Sequence, residues 1–227
     1  MNNILSQKQN SAVIIFAKYP EPGKVKTRLA SETGNKFAAE FYRICAERIF
    51  KEVQKIDAQR FLFLPATDDE ALIKNWAGRD FIYNLQIGNS LGEKMGNAFE
   101  VVFSAGYNSA VIIGTDIPEI SSAIIESSIK NLQSYDVVVS PSDDGGYSLL
   151  GMNKLFPFLF SDIAWSTSSV FPTTINKLDK HNINYKIQAA LHDVDTLNDL
   201  KRYLQQGKNT DIHKNILAIM NEMSFEL

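Results

Sequence analysis

The chain has 227 residues, 44% hydrophobic and 22% charged, with a formal net charge of -3. That balance excludes intrinsic disorder, and the slight acidity argues against a nucleic-acid binder, whose phosphate contacts need a basic surface. The length suits one domain over residues 1–227, and the single Cys45 excludes an intrachain disulfide or a cysteine-based zinc site and fits a reducing cytoplasm.

Met1–Asn10 is polar, and the apolar run that follows stops at Lys18, short of a secretory h-region. No stretch approaches the roughly 20 apolar residues of a membrane span, so a soluble, cytoplasmic chain without membrane insertion is expected. Ser11–Ala17 reads as the first strand. Lys18–Arg28 then carries Lys18, Lys24, Lys26 and Arg28 against one Glu21, where about one basic residue is expected by chance. With Gly23 to admit a ligand near the backbone, this is either a phosphate-binding loop or a solvated basic loop. It lacks the spacing of a Walker A loop.

Phe37, Phe41, Ile44, Cys45, Ile49, Val53 and Ile56 keep helical spacing. Strands are read at Arg60–Pro65 and Asp80–Gln86, with a helix over Asp68–Trp76 between them. Gln86, Gly88 and Gly92 could meet a nucleobase edge or simply lead into a helix over Leu91–Ser104. The strand Ala110–Gly114 ends in Gly114-Thr-Asp116-Ile-Pro118. A carboxylate there is a candidate ligand for Mg²⁺ or Mn²⁺, or a turn cap before the helix Ser121–Gln133, where Ser121 is the nearer cap.

The strand Asp136–Ser140 leads into Pro141-Ser-Asp-Asp-Gly-Gly-Tyr147 and the strand Tyr147–Gly151. This is either an ordinary Asp-Gly hairpin or a site in which Asp143 or Asp144 serves as base or ligand and Gly145 and Gly146 admit substrate. Trp165 could wall an acceptor pocket, while Ser166 or Thr167 could cap the helix Ser168–Asn182. After the strand Tyr185–Ala189, the segment His192-Asp-Val-Asp195-Thr196 should turn only one of Asp193 and Asp195 to the site if it is extended. Thr196 and Asp199 suit a capping box for a helix over Leu197–Gln205, and Asp211–Met223 reads as a last helix. Alternating strands and helices imply a mainly parallel sheet, with chemistry beyond the carboxyl ends of its strands.

In order, FAKYPEPGKVKTRLA, QIGNSLGEKMGNAF, GTDIP, PSDDGGYSLLG, AWSTSSV and DVDTLNDL resemble a bacterial family of glycosyltransferase-A-like proteins described as nucleotide-diphospho-sugar transferases. Some members are associated with arsenosugar biosynthesis. The family resembles the phospholactate guanylyltransferase of deazaflavin-cofactor synthesis and the molybdenum-cofactor guanylyltransferases. The resemblance spans about residues 11–200. It implies an α/β, three-layer Rossmann-like fold with a mixed, mainly parallel sheet.

It also implies a glycosyltransferase using a nucleotide-diphospho-sugar and a small-molecule acceptor, with nucleotidyl transfer from a nucleoside triphosphate and non-catalytic nucleotide binding as alternatives. Lys18, Gly23, Lys24, Lys26, Thr27 and Arg28 fall on the nucleotide-phosphate loop, and Gln86, Gly88 and Gly92 on the base-recognition segment. Asp116 falls on the metal aspartate and Asp195 on a segment that gives some relatives a second ligand, for Mg²⁺ or Mn²⁺. Asp144 with Asp116 would carry the catalysis, and Gly145, Gly146, Tyr147, Trp165 and Thr167 would border the acceptor. The Asp-x-Asp motif of many glycosyltransferases and the Leu-x-x-Gly-x-Gly-Thr-Arg loop of sugar nucleotidyltransferases are absent.

Overall fold

A computed structural model of the chain describes residues 10–66, 69–206, 210–223 and 225. The polar amino-terminal residues 1–9 and Asp68, read as the start of a helix, lie outside them. The described elements are β1 (Ser11–Phe16), α1 (Thr27–Thr33), α2 (Asn35–Gln54), β2 (Gln59–Leu64), α3 (Glu70–Ala77), β3 (Ile82–Leu85), α4 (Leu91–Ser104) and β4 (Ser109–Gly114). They continue as α5 (Ser122–Asn131), β5 (Val137–Pro141), β6 (Tyr147–Met152), a 3₁₀ turn at Pro157–Leu159, α6 (Val170–Lys180), β7 (Tyr185–Ile187), α7 (Leu197–Gln205) and α8 (Asp211–Glu222).

The strands form one seven-stranded sheet in the order β3-β2-β1-β4-β6-β5-β7. Only β6 runs against the others, pairing antiparallel with both β4 and β5. The remaining pairings are parallel. The chain builds outward from β1 through β2 to β3, then crosses to β4 on the other side of β1. β1 and β4 stay paired to their last residues, Phe16 and Gly114, and the chain leaves them toward opposite sides of this reversal, so the space beyond their carboxyl ends is the usual ligand position in such sheets.

The two faces follow from period-two alternation. Val13 and Ile15 of β1, with Leu62, Leu64, Val111 and Ile113, pack under α2, α3 and α5. Ala12 and Ile14, with Phe61, Phe63, Ala110 and Ile112, pack on the other face under α4 and α6. Both faces are covered, which is why the central strands read as unbroken apolar runs. A third cluster joins α1, α2, α7 and α8 around the fully buried Phe41. Helix α2 thus buries two sides, which requires its wide apolar stripe. Among the described residues no helix is long and apolar enough to cross a membrane.

Most element ends shift by one or two residues from the sequence expectation, and two differences bear on the site. Thr27 and Arg28 open α1 instead of extending the basic loop. No capping side chain announces this helix, because its cap is Lys26 in a left-handed backbone conformation. Helix α6 starts at Val170 after Ser169, so neither Ser166 nor Thr167 caps it. Thr167 instead bonds back to Ala164 O at 2.7 Å and meets Ser169 Oγ at 2.7 Å.

Candidate active site

The ends of β1 and β4 are laced together by side chains. The Lys18 N–H donates to Tyr42 Oη at 2.9 Å, Tyr42 Oη lies 2.6 Å from Thr115 Oγ1, and Thr115 Oγ1 donates to Phe16 O at 3.3 Å. Burial pushes the Tyr42 phenol up to about 12, so it stays a neutral link between donor and acceptor. Tyr42 and Thr115 are structural members of the site that the sequence reading passed over. Tyr42 sits in an apolar helical stripe, and only its contact across 73 residues marks it.

Beyond this lacing lies a cavity of about 630 Å³, within the usual range for a small-molecule site. Its wall brings together Lys18, Lys24, Lys26, Thr27, Arg28, Gln86, Asp116, Asp144, Tyr147 and Asp195. Residues from five separate sequence motifs thus converge on one space.

The centre of the charge distribution is Lys26. Its ammonium lies 3.1 Å from Asp116 Oδ2 and 2.5 Å from Asp195 Oδ1, and its side chain is only 4% exposed. Arg28 Nη1 stands 3.7 Å from the other Asp195 oxygen. Burial alone would favour the neutral amine, but the two carboxylates overcome it and hold the Lys26 pKa well above the ordinary lysine range. Lys26 reaches this position from a backbone with φ 46°, a left-handed conformation that costs a non-glycine residue roughly 1–2 kcal/mol. Strain of this kind persists only where the surroundings enforce it, and it concentrates at functional sites.

Asp116 does not cap a helix. Ser121 does, its Oγ accepting from the Ile124 N–H. Asp195 is held by the segment after β7, which is fastened along the sheet end by Gln188 N to Val139 O and Leu191 N to Pro141 O. Immediately beyond it, Thr196 and Asp199 form the full capping box of α7. This segment belongs to no strand, and the expectation that an extended chain would turn only one of the two aspartates to the site does not describe it. Asp193 and Asp195 both line the cavity. Burial, helped by the neighbouring Asp195 charge, pushes the Asp193 carboxyl up to about 6.

The Asp-Asp pair of the β5–β6 turn divides. Asp143 turns outward to Arg202 and His192, each at 2.9 Å. Asp144 faces the cavity while its Oδ1 accepts from Ser142 Oγ at 2.5 Å and Gly146 N at 2.9 Å. The hairpin reading and the functional reading of this turn therefore coexist in one residue.

Several proposed binding residues stand outside the cavity wall. Gly23 and Gly88 sit in the loops beside it, and Gly146 serves the Asp144 turn. Gly92 is required by packing: a Cβ there would lie 2.3 Å from the Trp165 indole. Gly145, at φ 84°, would place a Cβ 2.4 Å from Ser168 O. Trp165 and Thr167 form an outer layer, with the Trp165 ring set edge-on to Tyr147 at 6.4 Å. Tyr147 does reach the cavity, and its buried hydroxyl finds no partner among the described residues. Gln86 also reaches it, but its amide donates to Phe63 O at 3.0 Å.

Among the described residues no three His, Cys, Asp or Glu side chains make a ready-built metal cage. Mg²⁺ and Mn²⁺ are nevertheless often held by one or two carboxylates together with substrate phosphates and water. Asp116 and Asp195 offer such oxygen donors, and they already converge on a cation, the Lys26 ammonium. The donor set therefore fits a divalent ion that arrives with phosphate.

Comparison with known proteins bears on the family and the fold. A model of the family described as "Uncharacterized protein conserved in bacteria (DUF2064)" matches residues 49–167. The chain belongs to the DUF2064 family. The match takes in Asp116, Asp144 and Trp165, and it stops short of Lys26 on one side and Asp195 on the other. No curated protein matches the chain. Among solved structures, a "putative nucleotide-diphospho-sugar transferase" from Desulfovibrio desulfuricans G20 superposes with a TM-score of 0.89 at 29% identity, covering 96% of this chain and 98% of that one.

The 4-diphosphocytidyl-2C-methyl-D-erythritol synthase of Anaerococcus prevotii DSM 20548 superposes at 0.58 with 14% identity, over 87% and 97% of the two chains. A CMP:2-keto-3-deoxy-manno-octonic acid synthetase complexed with CTP superposes at 0.55 with 12% identity, over 87% and 99%. This DUF2064 chain therefore has the α/β fold of nucleotidyl and nucleotide-sugar transferases.

Proposed function

We propose that residues 1–227 form a single, cytoplasmic, metal-dependent transferase domain that takes a sugar from a nucleotide-diphospho-sugar and passes it to a small-molecule acceptor. The observation that carries this reading is the convergence of Lys26, Asp116 and Asp195 beyond the carboxyl ends of β1 and β4. Mg²⁺ or Mn²⁺ held by Asp116 and Asp195 would neutralise charge on the diphosphate leaving group. Arg28 and Lys18 line the same space and add positive charge toward the phosphates. Asp144 keeps one carboxylate oxygen outside its own turn, and that oxygen accepts the proton of the acceptor hydroxyl. Tyr147, with its unpaired hydroxyl, and the edge of Trp165 bound the acceptor side.

The sequence resemblance to the arsenosugar-associated glycosyltransferases supports the sugar reading. Within the basic loop, Lys24 pairs with Glu21 at 2.8 Å. The guanylyltransferase-like alternative, attack of a substrate phosphate on the α-phosphate of a nucleoside triphosphate, is favoured by the fold likeness to the two cytidylyl enzymes.

A thermal-shift screen with UDP- and GDP-sugars and the four nucleoside triphosphates, with and without Mn²⁺, separates the readings. A ligand at 100 times its Kd stabilises by about 2.7 kcal/mol. Mn²⁺-dependent stabilisation by a nucleotide sugar is expected. Stabilisation by triphosphates alone would replace glycosyl with nucleotidyl transfer, and no nucleotide response at all would defeat both.

A further inference from the structure

Lys26 occupies the point on which Asp116 and Asp195 converge, and it does so at the cost of near-complete burial and a left-handed backbone. The carboxylates come from the ends of different segments, 90 and 169 residues away along the chain. A lysine whose only role was to meet phosphate would gain nothing from being buried against them. Resting on the transferase reading above, we propose that Lys26 is a displaceable tenant of the metal position, so that the divalent ion enters only together with a polyphosphate.

The charges of the ion-paired cluster itself favour this coupling. Lys26, Asp116 and Asp195 together carry one net negative charge, and Arg28 stands 3.7 Å from the cluster. A bare divalent ion entering here would meet an ammonium already bonded to one oxygen of each carboxylate, with a guanidinium 3.7 Å from the other Asp195 oxygen. Like charges a few ångströms apart in a partly desolvated pocket repel strongly. A diphosphate or triphosphate changes the balance: its oxygens complete the ion's coordination and give the displaced ammonium a new partner within the same cavity. The aspartates are 38% and 30% exposed, open enough for the exchange, whereas the tenant itself is covered. In the absence of nucleotide, Lys26 keeps two close carboxylates from repelling each other and so preserves their placement.

Equilibrium dialysis of the full chain against Mn²⁺, with inorganic pyrophosphate as the polyphosphate probe, tests this without any turnover. Wild type should retain Mn²⁺ at least tenfold more tightly with pyrophosphate than without. Lys26→Met should bind Mn²⁺ at least tenfold more tightly than wild type in the absence of pyrophosphate. Adding Asp116→Asn to it should remove that gain. Lys26→Gly, which also relieves the left-handed backbone, should behave like Lys26→Met, with circular dichroism reporting that both variants fold. Either folded Lys26 variant alone carries the comparison if the other unfolds. Wild type binding Mn²⁺ equally well with and without pyrophosphate, or folded variants binding it no better than wild type, overturns the inference and leaves the transferase reading intact. Failure of every protein to retain Mn²⁺, even with pyrophosphate, overturns the inference and the metal-dependent reading together.

Discussion

On the solvent side of α2, Arg43 pairs with Glu40 at 2.7 Å and Glu47 at 2.8 Å, three and four residues away on the same helix. At the ends of β1 and β4, Lys26 pairs with Asp116 and Asp195, which lie far off in sequence and arrive through tertiary structure. The two clusters look alike as distances and differ in everything that costs free energy. The α2 cluster stays a third or more exposed and asks nothing of the backbone. The strand-end cluster buries a cation and bends its backbone into a left-handed conformation. Local pairs on a helix surface follow from sequence spacing alone. A strained, buried, non-local set is what the proposed metal and nucleotide role would account for.

Four measurements can break or sharpen that contrast. Asp116→Asn should lower the transfer rate by about 10²–10³-fold while leaving the chain folded, read as product formation on whichever nucleotide sugar binds and as a native circular dichroism spectrum. Retained activity would return the strand-end cluster to the status of an ordinary ion pair. Asp195→Ala should cost about 1–3 kcal/mol in urea unfolding, less than a fully buried pair because Asp116 remains and water reaches the site.

Thr196→Ala removes half of the capping box that follows Asp195 and should cost about 1 kcal/mol in the same assay. Its larger consequence should be weaker nucleotide binding, since the cap fixes where Asp195 enters the site. Arg43→Ala should change stability by no more than about 0.5 kcal/mol and leave nucleotide binding untouched. Equal losses for Asp195→Ala and Arg43→Ala would erase the distinction between the two clusters.

The sequence carried the scaffold well and the site in part. Unbroken runs such as Ala12–Phe16 and Val137–Val139 identify strands covered on both faces; the structure puts the first, in β1, near the sheet centre and the second, in β5, one strand in from the edge. Helix α4 spans the expected Leu91–Ser104, because Ser90 gives it a clear cap. The capping box at Thr196 and the cap at Ser121 were equally plain, since caps are local chemistry. Helix α1 was missed because it is entered through a strained lysine with no capping side chain.

At the site, residue types and strand-end positions sufficed to choose Asp116, Asp144 and the basic loop. They could not give the pairing of Lys26 with two aspartates, which depends on how separate segments pack. The alternation rule does not describe Asp193 and Asp195, because it holds only for extended chain and that segment belongs to no strand. Gly92 reads in sequence as a base-recognition position or a helix start; it lies in the first turn of α4, where the indole of Trp165, 73 positions later, leaves no room for a side chain.

The central claim is that a nucleotide and a divalent ion meet at Asp116 and Asp195. The most direct test is a crystal of the full chain grown with Mn²⁺ and the nucleotide-diphospho-sugar that gives the largest thermal shift, with the anomalous signal of manganese recorded. The account predicts a peak at bonding distance from both carboxylates, about 2.0–2.2 Å for an ion of this class, with the diphosphate on its open side and the Lys26 ammonium moved off the aspartates onto phosphate oxygens. A nucleotide bound elsewhere, or a diphosphate seated in the cavity with Lys26 still bridging Asp116 and Asp195 and no manganese peak, would contradict it.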